Sequence, residues 1–396
     1  MFLQGPLFTF SILVLLSLIT ACSVNPVTGE EHFLLPSKAT DYQIGQSQYL
    51  PAQQSQGGAY LLDPKLSAYI SAVGKKLAAV SDEPKLPYEF VVLNNSVPNA
   101  WALPAGKIAI NRGLLLQLKD EAQLAAVLGH EIVHSAARHG AQQMRNQQIM
   151  QLGLAGLGLA LQDHDYRSIV IGGAALGAQL TSAKYGRGNE LESDEYGMKY
   201  MAKAGYDLQA AVELQEIFLG LSQQGNSSWL DGLFASHPPS QERIQKNREH
   251  TASFSQQGGF RGEQAYRQAT QYIRDKAPAY ELAHNAAKAL ANKQLNEAEK
   301  LVKQAIEIEP NEAQFHSLAG SIYQAKGNND LALAEHNKAT KLNPEQFSYY
   351  LARGESLAAQ GQTKLALKDF EKSMSLLPTS KALNYINQLN QQSTKN

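Results

Sequence analysis

The sequence predicts a mainly α-helical chain with a small β-sheet, followed by an α-solenoid. Three observations carry this: a 34-residue period near the C-terminus, a helical H-E-x-x-H stretch further upstream, and two short strand-like segments just before it. At 396 residues the chain is long enough for two or three domains with their own cores. Hydrophobic residues make up 43% and charged residues 18%, which excludes a disordered chain. A formal net charge of -1 and a pI near 6.8, with no basic cluster, exclude a nucleic-acid partner.

Residues 1–21 read as a lipoprotein signal peptide. The run "PLFTFSILVLLSLITAC" is apolar, of secretory length and too short to span a bilayer, and it closes on Ile19-Thr20-Ala21 before Cys22. Small residues directly before the chain's only cysteine resemble a bacterial lipobox, which implies an acyl chain on Cys22 and a membrane attachment through it. Ser23 follows, not the aspartate that retains such lipoproteins at the inner membrane. The expected location is therefore periplasmic, at the inner face of the outer membrane of a Gram-negative bacterium. Residues 22–58, rich in Pro, Gln, Gly and Ser, read as a lipid-anchored tether.

A domain spanning 59–256 follows. "DPKLSAYISAVGKKLAAV" (63–80) has helical spacing, with Pro64 in the first turn after Asp63. "YEFVVLNN" (88–95) and "GKIAINRG" (106–113) read as strands, with "SVPNAWALPAG" as a loop between them. Asp120 is placed to cap a long helix running on to about residue 147. Two Gly-rich apolar runs, 149–161 and 168–180, are each too short for a transmembrane helix. They predict a packed helical hairpin, or a membrane-facing or lid element over the site.

On that long helix, His130 and His134 are four residues apart and share a face, so both imidazoles can reach one ion. Zinc suits neutral imidazole and tolerates an open fourth position. Glu131, the next residue, lies beside the metal instead of on it, where it can take a proton from an attacking water. His139 is nine helical residues from His130, half a turn away, and reads as structural.

A third ligand is sought in "RGNELESDEYGMK" (187–199), which holds four carboxylates. As a helix it divides into two stripes. Glu190, Asp194, Gly197 and Met201 end on small and apolar residues and face inward. Glu192, Glu195, Lys199 and Lys203 are charged throughout and read as a solvated face. The inward pair supplies the candidates, with Glu190 expected on the metal and Asp194 behind it, accepting a ring N–H from a ligating histidine.

Towards the C-terminus Pro310, Pro344 and Pro378 are 34 residues apart, as are Gly320 and Gly354, Gly327 and Gly361, and Ala298, Ala332 and Ala366. This resembles tetratricopeptide repeats in units 279–312, 313–346 and 347–380, after a linker or capping helix at 257–278 and before a helix or tail at 381–396. Such arrays bind protein partners on a concave face and carry no chemistry.

"HEIVH", followed by "ELESD" and then "SHPPSQERI", resembles the HtpX/BepA family of zinc peptidases, relatives of the CaaX prenyl proteases, over about residues 60–250. "NAWALPAGKIAINRGLL" is similar to the segment that precedes the zinc helix there. The resemblance implies a zincin-like (gluzincin) metallopeptidase with one Zn2+ per chain on His130, His134 and Glu190, and Glu131 as general base and then acid. It places His237 near the active site, where it would stabilise the oxyanion or hold the metal's open position in a latent enzyme, with Arg243 beside a carboxylate. "GKIAI", Gly106, Lys107, Ile108, Ala109 and Ile110, resembles the family's edge strand, along which an extended substrate would add. The implied function is zinc-dependent hydrolysis of unfolded or misassembled envelope proteins. The alternative is a mostly latent protease acting through its repeats as a chaperone-like assembly factor or adaptor.

Overall fold

The computed structural model describes residues 22–33, 37–146, 185–223, 233–254 and 258–393; the signal segment and both apolar runs, 149–161 and 168–180, lie outside them. The chain starts with an antiparallel pair, β1 (Cys22–Val24) and β2 (Glu31–Phe33). Asn25 organises the turn between them, its Oδ1 accepting the Val27 N–H at 2.9 Å. Helix α1 (Lys38–Ser55) follows, capped by Ser37, whose Oγ accepts the Thr40 N–H at 3.1 Å. The expected tether over 22–58 is therefore mostly folded. Burial explains the difference: Tyr49 and Ala52 pack against Leu93, Trp101, Leu103 and Ala109, and the Tyr49 hydroxyl donates to the Ile108 carbonyl at 3.0 Å. Most of its remaining residues are polar, although Tyr42 and Leu50 are exposed, so its composition reads as a linker.

Asp63 opens α2 (Pro64–Ala78), accepting the Lys65 and Leu66 N–H groups at 3.1 Å each. Strands β3 (Glu89–Leu93), β4 (Ala100–Leu103) and β5 (Lys107–Asn111) form a sheet in the order β3-β5-β4. Two expectations change here. "AWAL", inside the segment read as a loop, is strand β4, because its apolar residues are all buried and the turn residues only flank it. The segment read as an edge strand, Gly106 to Ile110, forms the turn into β5 and β5 itself, which is central: Ile108 faces Phe90 of β3 on one side and Ala102 of β4 on the other. With both sides paired, this strand cannot accept another.

A short α3 (Arg112–Leu115) leads to α4 (Glu121–Ala136), where Asp120 accepts the Gln123 N–H at 2.8 Å. The helix expected to run to residue 147 stops at Ala136, and Arg138 takes a left-handed conformation (φ 61°) before helical backbone resumes over 139–146. Helices α5 (Arg187–Lys203) and α6 (Gln209–Gln223) pack on α4, and α7 (Gln241–Ser253) packs on both α5 and α6. Where α5 crosses α4, Gly197 meets Gly129: a Cβ on Gly197 would lie 3.0 Å from the His130 nitrogen. Two glycines let these backbones approach closely enough for α5 carboxylates to reach α4 histidines.

The C-terminal part is helical: α8 (Glu263–Ala269), α9 (Gln271–Ala291), α10 (Leu295–Ile308), α11 (Ala313–Ala325), α12 (Asn329–Leu342), α13 (Phe347–Ala359), α14 (Thr363–Leu376) and α15 (Ser380–Ser393). The starts of α10, α12 and α14, at 295, 329 and 363, repeat by 34 residues, as tetratricopeptide pairs do. Gly320 packs against the His336 ring and Gly354 against the Phe370 ring, the same crossing one repeat later. The expected boundary at 278/279 falls inside α9, which passes through Pro278. One core holds Tyr280, Ala283 and Phe315 together with Ile110, Leu115 and Tyr266, so the two parts are packed as a unit. No helix among the described residues is long and apolar enough to cross a membrane.

Candidate metal centre

Helix α4 presents His130 and His134 one turn apart, and their Nε2 atoms approach to 3.0 Å. The other nitrogen of each ring is engaged. His130 Nδ1 lies 2.9 Å from Asp194 Oδ1, and His134 Nδ1 lies 2.9 Å from His139 Nδ1. A carboxylate beside Nδ1 keeps the proton there and leaves Nε2 of His130 as a bare acceptor. Glu190, in the first turn of α5, brings its carboxylate to 3.3 Å from His134 Nε2 and 3.6 Å from His130 Nε2. His237 follows a helical turn at 233–236, and its Nδ1 lies 3.0 Å from Glu190 Oε1 and 3.3 Å from His130 Nε2.

Ligand atoms from His130, His134, Glu190 and His237 all lie within 4.8 Å of one another, and all four residues are buried. Acceptor atoms converge there away from water, an arrangement that a cation relieves. Imidazole nitrogens with one carboxylate oxygen are a donor set that suits zinc. The residues present therefore fit the metal.

Arg243 holds the acidic side of the cluster. Its Nε and Nη2 each donate to Asp194 at 2.7 Å, and its Nη1 lies 2.8 Å from Glu190 Oε2. Ser240 caps α7 by accepting the Arg243 N–H at 3.2 Å, which sets the start of that side chain. Burial alone would raise the Glu190 carboxyl, but His237, Arg243 and His130 outweigh it and hold the group well below its ordinary range. Glu131 behaves oppositely: burial raises its carboxyl, with His237 and His130 pulling the other way. Its Oε1 lies 3.5 Å from His237 Nε2, and its Oε2 is buried without a hydrogen-bond partner.

Three residues near the histidines escaped the sequence reading. Tyr185 stacks on His134, ring centroids 3.9 Å apart, and its hydroxyl reaches the Ala102 carbonyl of β4 at 3.4 Å. An unbroken helix would hold His139 half a turn from the site; the turn at Arg138 brings it back onto His134. Glu192, on the stripe expected to be solvated, is only partly exposed and lies 3.4 Å from His139 Nε2. Glu195 and Lys199 do pair on that stripe, at 2.7 Å. Val127, Met198, Leu214, Phe218 and Leu233 line an apolar cavity that opens beside His130 and Glu131.

The sequence pattern of peptidase family M48 matches residues 64–251. A putative beta-barrel assembly-enhancing protease of Vibrio cholerae serotype O1 is 31% identical over 198 residues, 48% of this chain and 40% of that protein. The beta-barrel assembly-enhancing protease of Escherichia coli K12 is 28% identical over 243 residues, 58% of this chain and 50% of that protein. Metalloprotease YcaL of Escherichia coli K12 is 30% identical over 192 residues, 46% of this chain and 72% of that protein. The chain thus spans half or less of the length of the two assembly-enhancing proteases.

Proposed function

The chain belongs to peptidase family M48, and from that premise we propose that it is a zinc-dependent endopeptidase of the bacterial cell envelope acting on unfolded or misassembled proteins. The observation that carries this reading is the buried convergence of His130, His134 and Glu190 with Glu131 on the adjoining residue of α4. In it, His130, His134 and Glu190 hold the metal, Asp194 and Arg243 hold the ligands, and the repeats dock protein partners. When bound, zinc supplies Lewis acidity that polarises the scissile carbonyl and acidifies the attacking water.

The protein groups supply the rest. Glu131 takes the water's proton and passes it to the leaving nitrogen, from its place on the residue next to His130. His237, across from Glu131, donates to the developing oxyanion. An extended substrate adds along β4, which pairs on one side only among the described residues, and not along Gly106, Lys107, Ile108, Ala109 and Ile110. The apolar cavity beside Glu131 takes a nonpolar side chain next to the cleaved bond. Extended substrates are available only from proteins that have failed to fold, which suits quality control. Acylation of Cys22 would tether the enzyme at the inner face of the outer membrane.

A second reading, a largely latent protease working through its repeats as an assembly factor or adaptor, is favoured by one observation. His237 Nδ1 lies among the ligand atoms, where it would fill the open coordination position. Glu131→Gln separates enzyme from binding module. The variant should keep its zinc and lose chelator-sensitive cleavage of denatured casein by about 100-fold or more. Cleavage at the wild-type rate would remove Glu131 from the mechanism. No chelator-sensitive cleavage by the wild type, with suppressed aggregation of a client protein, would favour the assembly factor.

A further inference from the structure

We propose that Asn25, Glu192 and His139 form a positioning relay that fixes His134 for metal binding, an inference that rests on the metallopeptidase reading and deepens it. The two histidines of α4 are held differently. His130 has a carboxylate, Asp194, against its Nδ1, whereas His134 has the imidazole of His139, Nδ1 to Nδ1 at 2.9 Å. For His134 to present Nε2 to a metal, its proton must sit on Nδ1 and be donated to His139. His139 can accept it only with its own proton on Nε2.

That nitrogen lies 3.4 Å from Glu192 Oε1, a carboxylate that favours the required tautomer. Glu192 Oε1 in turn accepts from Asn25 Nδ2 at 2.9 Å. Asn25 is 1% exposed, and its Oδ1 already accepts the Val27 N–H at 2.9 Å, which turns its amide nitrogen towards Glu192. Two groups therefore converge on Glu192 Oε1: the Asn25 amide, which donates to it, and His139 Nε2, whose approach at 3.4 Å is electrostatic and lacks hydrogen-bond geometry.

Other contacts hold His139 in place. It is fully buried, and the left-handed Arg138 that swings it back is anchored by donation from Arg138 Nε to Asp41 Oδ2 of α1 at 2.6 Å. Ser193 Oγ lies 3.4 Å from His139 Nδ1, a longer approach than that of His134. The relay begins three residues after Cys22, so the N-terminal hairpin is tied to a metal ligand through side chains alone.

The test is zinc affinity of the full chain, measured by competition with a chromogenic chelator, in wild type, His134→Ala, His139→Leu, His139→Asn and Asn25→Ala. Leucine keeps the bulk of His139 and removes its nitrogens; asparagine keeps an acceptor near the position of Nδ1. His139→Leu should weaken zinc binding by about 10- to 100-fold, with thermal unfolding of the zinc-free protein unchanged. His139→Asn should recover most of that loss, and Asn25→Ala should weaken binding by a smaller factor. Wild-type affinity in His139→Leu, or no recovery in His139→Asn, would overturn the relay alone. A wild-type chain without zinc, or a His134→Ala chain that binds it equally well, would overturn the metal centre and the relay together. If His139→Leu does not fold, Asn25→Ala decides: unchanged affinity there overturns the relay.

Discussion

His237 is the residue at which the two functional readings diverge. Its Nδ1 lies with the ligand atoms of His130 and Glu190 while its Nε2 faces Glu131. As an oxyanion donor its loss would slow cleavage; as a fourth ligand in a resting enzyme its loss would free a coordination position. On the oxyanion role proposed above, His237→Ala should lower casein cleavage, measured as initial rate at saturating zinc, by about 100-fold. A rise in basal cleavage would instead assign His237 to the metal's open position in a latent enzyme. His130 with His134, and Glu190 with Asp194, were legible as same-face pairs because each pair is set by helical spacing within its own helix, and the family resemblance implied that the two pairs meet. His139 was not, because its approach depends on a break at Arg138, a non-glycine residue in the left-handed region, and Gly140 beyond it does not mark that position. Glu192 was misjudged for a related reason: a helical wheel says which way a side chain points, not that a second segment, at Asn25, covers it.

Among the elements, the sheet and the repeats differ in how openly the sequence declares them. β4 is four apolar residues between turn formers, too short for alternation to show, and it is the element that leaves β5 central. The repeats carry the opposite signal, since a crossing that must be small recurs every 34 residues at Gly320 and Gly354. The ring opposite Gly320 is His336, and the ring opposite Gly354 is Phe370. Burial pushes the His336 pKa down to about 4, with Glu335 opposing and Arg353 adding. Above the ordinary histidine pKa of 6.5 both folded and unfolded chains are neutral here. As pH falls from there towards 4, the unfolded chain takes up a proton that the folded chain refuses, so stability is lost on acidification. His336→Phe, which copies the next repeat, should therefore reduce the loss of unfolding free energy between pH 7 and pH 5 by about 2 kcal/mol relative to wild type. Equal losses in denaturant titrations at the two pH values would show that His336 is not the acid-sensitive group.

For the whole molecule, the joint between the sheet-bearing part and the repeats is the feature that sequence reading divided and the structure unites. The repeat period starts cleanly, which suggested a boundary, but α9 runs through it and Tyr280 carries the core across. Arg112, nearly fully buried, lies 3.4 Å over the Tyr280 ring, and Asn94 donates to both oxygens of Glu312 at 3.1 Å. The α1 end joins in, with Gln54 donating to the Glu345 carbonyl at 2.6 Å and accepting the Phe347 N–H at 2.7 Å. Deleting residues 279–396 removes Tyr280, Ala305 and Phe315 from the shared core and leaves Arg112 and Asn94 without these partners. The truncated chain should lose at least about 5 kcal/mol of unfolding free energy, and activity with it, since each large buried side chain is worth about 3–5 kcal/mol. A truncated chain with the denaturant midpoint of the intact protein would restore the two-domain division.

The central claim is that one zinc ion sits on His130, His134 and Glu190. Anomalous diffraction from crystals of the full chain, recorded above and below the zinc absorption edge, tests it most directly. The account predicts a single peak about 2.0–2.2 Å from both His Nε2 atoms and from the Glu190 carboxylate, with Asp194 outside coordination distance. A peak held by Asp194 in place of Glu190, or no peak between the two histidines of α4, would contradict it.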